Sequence, residues 1–304
     1  MTANHYSEQV RLLLEVLPHV AEHPCFALKG GTAINFFVRD LPRLSVDIDL
    51  AYLPVEDRET SLAAIDSGLA AIQASVAEKV PGVAVESELL GRTDKRIRLR
   101  ARRGDTLVKV EVNHVMRGSV HTSEHREATP AVQEQFGPAA AWTLDFDDLY
   151  GGKLCAALDR QHPRDLFDVG LLLRNEGISA RLKDTFLVYL LGHNRPMAEL
   201  LDPALQALEE LFLSQFAGMP NELVGVEELA EARNRLIEKI HAALTDVDRE
   251  FLLSVKRGEP DWEAFPYPQV RHLPAIRWKL HNLERMSADK RAEASRKLEG
   301  ILQG

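Results

Sequence analysis

The hydrophobic periodicity of the chain changes near residue 140, and this change constrains the fold more than any other feature. Before it, alternating apolar and polar residues are typical of strands, which are predicted over 44–52, 83–89, 95–102 and 106–114. The same part contains helical spacing over 10–20, 33–38 and 56–79. Beyond it the pattern is almost entirely helical, with helices predicted over 146–160, 164–175, 180–192, 198–216, 223–255 and 275–301. The sequence therefore predicts an α+β fold, with a mixed-sheet domain over 1–140 and a predominantly α-helical domain over 141–304.

The composition argues against several classes of protein. The 304 residues include 37 Lys and Arg against 46 Asp and Glu, a net charge of −9, which disfavours non-specific coating of nucleic acid but leaves room for a local basic patch. Cys25 and Cys155 provide neither a disulfide framework nor a thiolate zinc site. Charged residues interrupt the apolar stretch 10–20, and no window reaches the roughly 18 apolar residues of a spanning helix. We therefore expect a cytoplasmic protein without a membrane partner.

Two acidic residues share one face of the predicted strand 44–52. Asp47 and Asp49 are two residues apart, so their side chains project to the same side, roughly 6–7 Å apart along the strand. Two partly buried carboxylates repel each other, and Mg²⁺ or Mn²⁺, which prefer oxygen ligands, removes that repulsion. The pattern is consistent with a metal site, and a solvated strand face is the alternative.

Two further features support a site at this strand. The turn Gly30-Gly31-Thr32 precedes a short helix, where free backbone N–H groups can receive the phosphates of a nucleotide, although an ordinary glycine turn has the same sequence. Glu111 is the single acid in an otherwise apolar part of the strand 106–114. A carboxylate there requires a metal or an ion pair with a neighbouring arginine.

Cations and acids also alternate around residue 160. Lys153 is a compact charge suited to holding a phosphate, and Arg160 follows after about two helical turns. Asp165 and Asp168 lie three residues apart on the next predicted helix, where they can pair with both cations and fix their positions. A surface helix with ordinary ion pairs is the alternative.

Four arginines alternate with apolar residues in the strand 95–102. Arg96, Arg98, Arg100 and Arg102 therefore project from one face, where they can follow an RNA backbone. The alternative is a strand whose charges discourage pairing at the edge of a sheet.

Five segments in the same order resemble a known family. They are Leu28-Lys29-Gly30-Gly31-Thr32-Ala33, Arg43-Leu44-Ser45-Val46-Asp47-Ile48-Asp49-Leu50, Lys109-Val110-Glu111-Val112-Asn113 with Arg117-Gly118, the series Lys153, Arg160, Arg164, Asp165 and Asp168, and residues 272–283. Together they are similar to the AbiEii-type nucleotidyltransferases, which are toxins of bacterial toxin–antitoxin and phage-abortive systems. These are related to the MenT toxins and have the DNA polymerase β-like nucleotidyltransferase fold.

The resemblance implies a role for each matched residue. The resemblance implies that the domain over 1–140 is the nucleotidyltransferase domain and that the catalytic residues of the protein are Asp47, Asp49, Lys153 and Asp165. Nucleotide binding is implied for Lys29, Gly30, Gly31, Thr32, Ser45 and Lys153, although many family members have Ser where this chain has Thr32. The metal ligands are Asp47 and Asp49, with Glu111 as the third carboxylate. Independently of the resemblance, RNA binding is the role considered for the alternating row Arg96, Arg98, Arg100 and Arg102, together with Arg160.

The activity implied by the resemblance is transfer of a nucleoside monophosphate from an NTP, with release of pyrophosphate and with Mg²⁺ or Mn²⁺ as cofactor. The acceptor is an RNA, for which the 3′ end of tRNA is one candidate, or a protein, and a cognate antitoxin is the expected partner. A metal-dependent nuclease and a non-catalytic nucleotide-binding protein of the same fold are the alternatives. Lys109 precedes Glu111, so the acid-then-lysine order common in such nucleases is absent. The presence of the Asp47/Asp49 pair and of Lys153 argues against the non-catalytic alternative.

Overall fold

A computed structural model describes residues 3–303 and divides them between two compact units. Unit 1 comprises the residues up to Leu149 together with Leu213–Val224, and unit 2 comprises Tyr150–Phe212 together with the residues from Gly225 onward. The sheet lies in unit 1, and unit 2 is helical. The α+β fold class predicted from the sequence is confirmed.

Unit 1 is built on a seven-stranded mixed sheet in the order β3-β4-β5-β2-β1-β7-β6. Its elements in chain order are α1 (Ala3–Ala21), β1 (Phe26–Lys29), α2 (Gly30–Ala33) with a π-helical turn (Ile34–Val38), β2 (Asp47–Tyr52), α3 (Arg58–Lys79), β3 (Ala84–Leu89), β4 (Arg96–Arg103), β5 (Thr106–Asn113), β6 (Glu124–Glu127), α4 (Pro130–Phe136) and β7 (Ala140–Thr143). The pairs β2–β5 and β1–β7 are parallel, and the other neighbours are antiparallel.

The two faces of this sheet have different chemistry because side chains alternate along each strand. Ile48, Val110 and Leu99 are in register on β2, β5 and β4, and each is at most 1% exposed. Helices α1 and α3 contact the sheet and contribute their own apolar residues to this core. Asp47, Asp49, Glu111 and Arg98 occupy the positions that alternate with these apolar residues and therefore lie on the opposite face.

Four elements of unit 1 were not predicted from the sequence, namely β1, α4, β6 and β7. Strand β7 is only four residues long and reads Ala-Ala-Trp-Thr, so it has no clear alternation of apolar and polar residues. It nevertheless lies inside the sheet, parallel to β1. The predicted boundary at 140/141 falls within this strand, whereas the structure divides at 149/150 and returns to unit 1 over 213–224.

Unit 2 consists of helices, the first of which begins before the division. They are α5 (Phe146–Arg160), α6 (Pro163–Asn175), α7 (Ala180–Gly192), α8 (Met197–Leu201), α9 (Glu209–Gln215), α10 (Val226–Ala243), α11 (Asp246–Arg257), a 3₁₀ helix (Pro268–His272), α12 (Pro274–Glu284) and α13 (Ala288–Gln303). Among residues 3–303, no helix combines the length and apolarity needed to cross a bilayer.

Three helices predicted as continuous are each divided in two, and these predictions were wrong. The helix predicted over 198–216 stops at Leu201, just before Pro203, which cannot donate a helical hydrogen bond. The helix predicted over 223–255 is interrupted at Thr245, where a capping box with Asp248 starts α11. The helix predicted over 275–301 is interrupted between α12 and α13.

Candidate active site

The glycine turn after β1 lies directly against side chains from the start of β2. Gly30 has a φ of +71°, and a Cβ atom there would come within 2.6 Å of Oδ2 of Asp49. At Gly31 a Cβ would come within 2.7 Å of Nη2 of Arg43 and 2.9 Å of Oγ of Ser45. A Cβ at either position would displace one of these side chains, and Gly30 in addition has a backbone conformation that residues with a Cβ rarely adopt, so the two glycines let the backbone of the turn lie close to Asp49, Arg43 and Ser45.

A hydroxyl network fixes the turn to the strand. Oγ1 of Thr32 lies 2.6 Å from the carbonyl oxygen of Asp47 and 2.9 Å from Oγ of Ser45. A hydroxyl carries one proton and a carbonyl only accepts, so Thr32 donates to Asp47 and accepts from Ser45. Thr32 and Ser45 are both buried. The network thus holds the Asp47 backbone at the turn without using the Asp47 carboxylate.

The three predicted metal-binding carboxylates lie close together on the charged face of the sheet. Asp47 and Asp49 are alternate residues of β2 and both are half-buried. Glu111 of β5 is the register partner of Asp49, and Lys29 of β1 is its partner on the other side. Neighbouring strands lie about 4.7–4.9 Å apart, so Lys29, Asp49 and Glu111 form one row across three strands.

The oxygen donors of this row suit a hard divalent cation. Asp49 forms no ion pair or side-chain hydrogen bond within residues 3–303, so its carboxylate oxygens remain available as ligands. Asp47 offers a second carboxylate from the same face. Glu111 is already engaged by Arg98, whose Nη2 lies 2.7 Å from Oε2 of Glu111. The residues present therefore fit a magnesium or manganese site centred on Asp47 and Asp49.

The four arginines of the row predicted on β4 are not equivalent. Arg98 also contacts Oε1 of Glu88 at 2.8 Å, and Arg100 contacts Oε2 of the same glutamate at 2.9 Å. Arg96 lies 2.7 Å from Oδ1 of Asp66 on α3. Burial opposes protonation of Arg98, but Glu111 and Glu88 outweigh it and raise its pKa. Because β4 lies between β3 and β5, the alternative of edge protection does not apply.

Lys153, Arg160 and Asp165 meet within unit 2. Nζ of Lys153 lies 2.8 Å from Oδ1 of Asp165 and 2.9 Å from Oδ2 of Asp168, and the side chains of all three residues are at most 6% exposed. Arg160 Nε lies 2.6 Å from the other oxygen of Asp165. Burial opposes ionisation of the Asp165 carboxyl, but the two cations outweigh it and hold its pKa well below the usual range. Asp165 and Asp168 therefore fix the position of Lys153.

The corner between α5 and α6 is held by a strained residue. Gln161 has a φ of +46°, which is uncommon for a residue with a side chain. Its buried amide donates to the carbonyl of Ala204, and its Oε1 accepts from the backbone of Gln206 and from Arg233. These hydrogen bonds stabilise a corner on which the Lys153–Asp165 geometry depends.

Two groups in unit 1 were given no role in the sequence interpretation. Arg43 is 1% exposed, and Nη1 donates to the carbonyl of Leu44, which keeps its guanidinium against Gly31. His121, Asp145 and Asp147 offer ligand atoms within 4.8 Å of one another, and both aspartates are buried. A second Asp-x-Asp pattern, Asp145-Phe146-Asp147, could have indicated this group from the sequence. It follows strand β7, which was not predicted.

A mixed sheet with an Asp-x-Asp strand packed against a Gly-Gly turn is the architecture of a nucleotidyltransferase. The family described as nucleotidyl transferase AbiEii toxin, type IV toxin–antitoxin system, matches residues 11–282, and the chain belongs to this family. The fold is also similar to that of MenT4, a nucleotidyltransferase toxin from Mycobacterium tuberculosis, with a TM-score of 0.59 and 14% identity over 91% of this chain and 93% of that one. No curated protein matches the chain by sequence.

Membership of this family confirms the resemblance inferred from the motifs. The protein is a nucleotidyltransferase toxin, its substrates include an NTP, and its system includes an antitoxin.

Proposed function

We propose that this toxin transfers a nucleoside monophosphate from an NTP to an RNA, with the 3′ end of tRNA as the first acceptor to test. The observation that carries the proposal is the Asp47/Asp49 pair beside the Gly30–Gly31 turn. The Asp49 carboxylate lies so close to Gly30 that a Cβ there would come within 2.6 Å of its Oδ2. This arrangement places two acids and a closely approachable backbone on one small surface. Nucleotidyl transfer needs such positioning more than covalent chemistry.

Asp47 and Asp49 would hold the divalent cation, and Glu111 would be the third carboxylate if Arg98 released it. Enzymes of this family usually use such a metal. When bound, Mg²⁺ or Mn²⁺ supplies positive charge that neutralises the phosphates. The chain itself contributes the Gly30–Gly31 backbone and Ser45 as phosphate contacts. Thr32 holds both the turn and the strand in position, and Lys29 adds a positive charge beside Asp49.

Lys153 is assigned to the nucleotide phosphates, and Asp165 to the position of Lys153. The support is the match of Lys153 to the family motif. Its ammonium is buried and held by Asp165 and Asp168, so a phosphate would bind it by replacing one of these contacts. Lys153→Ala should raise the NTP concentration required for half-maximal rate and lower turnover. Lys153→Arg should restore only part of the activity, because a planar guanidinium does not replace a compact ammonium. Wild-type kinetics in Lys153→Ala would remove this helix from the active site.

Transfer can be tested with purified protein, each labelled NTP in turn, Mg²⁺ and total RNA. Labelled RNA in the wild type, absent in Asp47→Ala and after addition of a metal chelator, is the expected result. Label on protein would indicate a protein acceptor, and shortened RNA would indicate a nuclease. If none of these products forms, the protein binds the nucleotide without catalysis. A parallel reaction with Glu86→Gln, which removes an exposed acid from β3, controls for the change in charge.

A further inference from the structure

The second basic segment of the chain lies on helix α12 and differs from the arginine row of β4. Residues 268–287 contain four Lys or Arg residues and one acid, Glu284, a local net charge of +3 in a chain whose net charge is −9. Arg277 and Arg285 are exposed, and within residues 3–303 neither forms an ion pair with a carboxylate. By contrast, four of the five arginines on β4 are paired with glutamate or aspartate. Cations without carboxylate partners are available to phosphates.

An exposed aromatic pair lies beside these arginines. Trp278 is 60% exposed, and its ring centroid lies 5.9 Å from that of His281 with a tilt of 33°. Positions 278, 281 and 285 recur at helical spacing, so Trp278, His281 and Arg285 share one face, with Arg277 adjacent. An indole this exposed adds little to the core, but its ring face can stack on an unpaired base. These four residues are referred to below as the α12 surface.

The backbone beneath the α12 surface is fixed. Ile276 and Leu283 are buried on the opposite side of the helix, which contacts α7. Nζ of Lys279 donates to the carbonyl oxygens of His193 and Arg195, at 2.7 and 2.8 Å, and anchors α12 to the segment after α7. The aromatic ring and the arginines are therefore presented by a rigid helix and not by a mobile loop.

We propose that the α12 surface binds single-stranded RNA, with a base stacked on Trp278 and the phosphates paired with Arg277 and Arg285. This inference rests on the proposed RNA acceptor and assigns it a binding surface within unit 2. Charge complementarity identifies the partner as a polyanion, and the exposed indole distinguishes unpaired bases from a duplex, whose bases are already stacked.

Binding is measured by fluorescence anisotropy with a short fluorescein-labelled single-stranded RNA and no NTP, in full-length Asp47→Asn protein so that transfer cannot alter the probe. Trp278→Ala should weaken binding by roughly 5- to 100-fold, and Trp278→Phe by less, because one stacking interaction is lost or reduced. The double variant Arg277→Gln/Arg285→Gln should reduce the slope of log affinity against log salt by about 1.4, which corresponds to two phosphate contacts on a single strand.

The matched control is Arg296→Gln/Lys297→Gln, which removes two exposed cations from α13 in the same unit and should leave the affinity unchanged. Failure of the wild-type surface to bind the probe, or equal affinities in all variants, would overturn the proposal. Equal RNA affinities combined with loss of neutralisation by the antitoxin would assign the surface to a protein partner instead. Failure of the proposed function gives a different result. If RNA binds through Trp278 but is not labelled by NTP, RNA is rejected as the acceptor, whereas the α12 surface remains an RNA-binding surface.

Discussion

Asp49 on β2 and the two aspartates Asp165 and Asp168 on α6 have opposite environments. Asp47 and Asp49 on β2 are half-buried, and Asp49 has no ion pair within residues 3–303. Asp165 and Asp168 on α6 are fully buried, and both contact the ammonium of Lys153. A carboxylate that is already neutralised by the protein stabilises the fold, whereas one that is left without a cation is available to a metal. The comparison predicts that activity and stability depend on different aspartates.

The largest effect on activity is expected from the removal of one acid from β2. Asp49→Asn keeps the shape of the side chain but removes the proposed metal ligand and the repulsion between Asp47 and Asp49. Transfer activity should fall by roughly 100-fold or more, the usual loss when a group that stabilises transition-state charge is removed. The midpoint of thermal unfolding without metal should be unchanged or slightly higher.

Both quantities can be measured on the same protein preparations, with transfer followed by labelled NTP and unfolding by circular dichroism. Glu86→Gln is the control, since it removes one charge from an exposed position on β3. More than about a tenth of wild-type activity in Asp49→Asn would reject the metal role of this residue.

The corresponding change among the buried aspartates of α6 is Asp165→Asn. Removing one partner of a buried ion pair typically costs about 3–5 kcal/mol, and we expect the lower end because Lys153 keeps Asp168. Transfer should fall by about 10- to 100-fold, as for residues that position another side chain. A loss as large as that of Asp49→Asn, without destabilisation, would place Asp165 at the reacting atoms.

The same variant has a predicted pH dependence. The pKa of Asp165 is lower in the folded protein than its ordinary value near 4, so its contribution to stability is present above about pH 4 and is lost as the pH falls through the folded-state pKa. The wild type should therefore lose more stability than Asp165→Asn on acidification below about pH 4. Glu228→Gln, which breaks an exposed ion pair with Arg174, should change stability by about 1 kcal/mol or less.

A smaller effect tests whether the turn positions the Asp49 carboxylate. Gly30 and Gly82 have the same φ of +71°, but a Cβ at Gly82 would have no atom within 4 Å. Replacement by Ala at either position should cost about 1–2 kcal/mol, because the left-handed conformation is unfavourable for residues with a Cβ. Gly30→Ala should in addition displace the carboxylate and reduce transfer by about tenfold, a typical loss for a displaced ligand. Equal activity in the two variants would show that the close approach has no functional role.

Local patterns were sufficient to predict much of this site from the sequence. Alternation along 44–52 placed Asp47 and Asp49 on one polar face, and the spacing of Lys153, Arg160 and Asp165 indicated the ion pairs that the structure contains. Both inferences depend on residues close in sequence, where the periods of strands and helices fix the direction of each side chain.

Features that depend on strand order could not be predicted in this way. The register of Asp49 with Glu111 joins strands separated by about sixty residues, and the pairing of Arg98 with Glu88 and Glu111 depends on β4 lying between β3 and β5. The long predicted helices failed for a different reason. Apolar periodicity continues across Thr245. However, Thr245 forms a capping box with Asp248 that satisfies the first N–H groups of α11, so a new helix starts there.

The smallest expected effect extends the comparison from carboxylates to cations. Arg98 is paired with two glutamates, whereas Arg102 is exposed and forms no ion pair within residues 3–303. If the row on β4 holds RNA phosphates, Arg102→Gln should reduce the salt slope of RNA binding by about 0.7, the value for one contact on a single strand. Arg98→Gln should leave that slope unchanged and lower stability, because it leaves Glu111 without its cation beside Asp49. A decrease in slope for Arg98→Gln would mean that RNA displaces Glu88 and Glu111 from this guanidinium, which would free Glu111 for the metal.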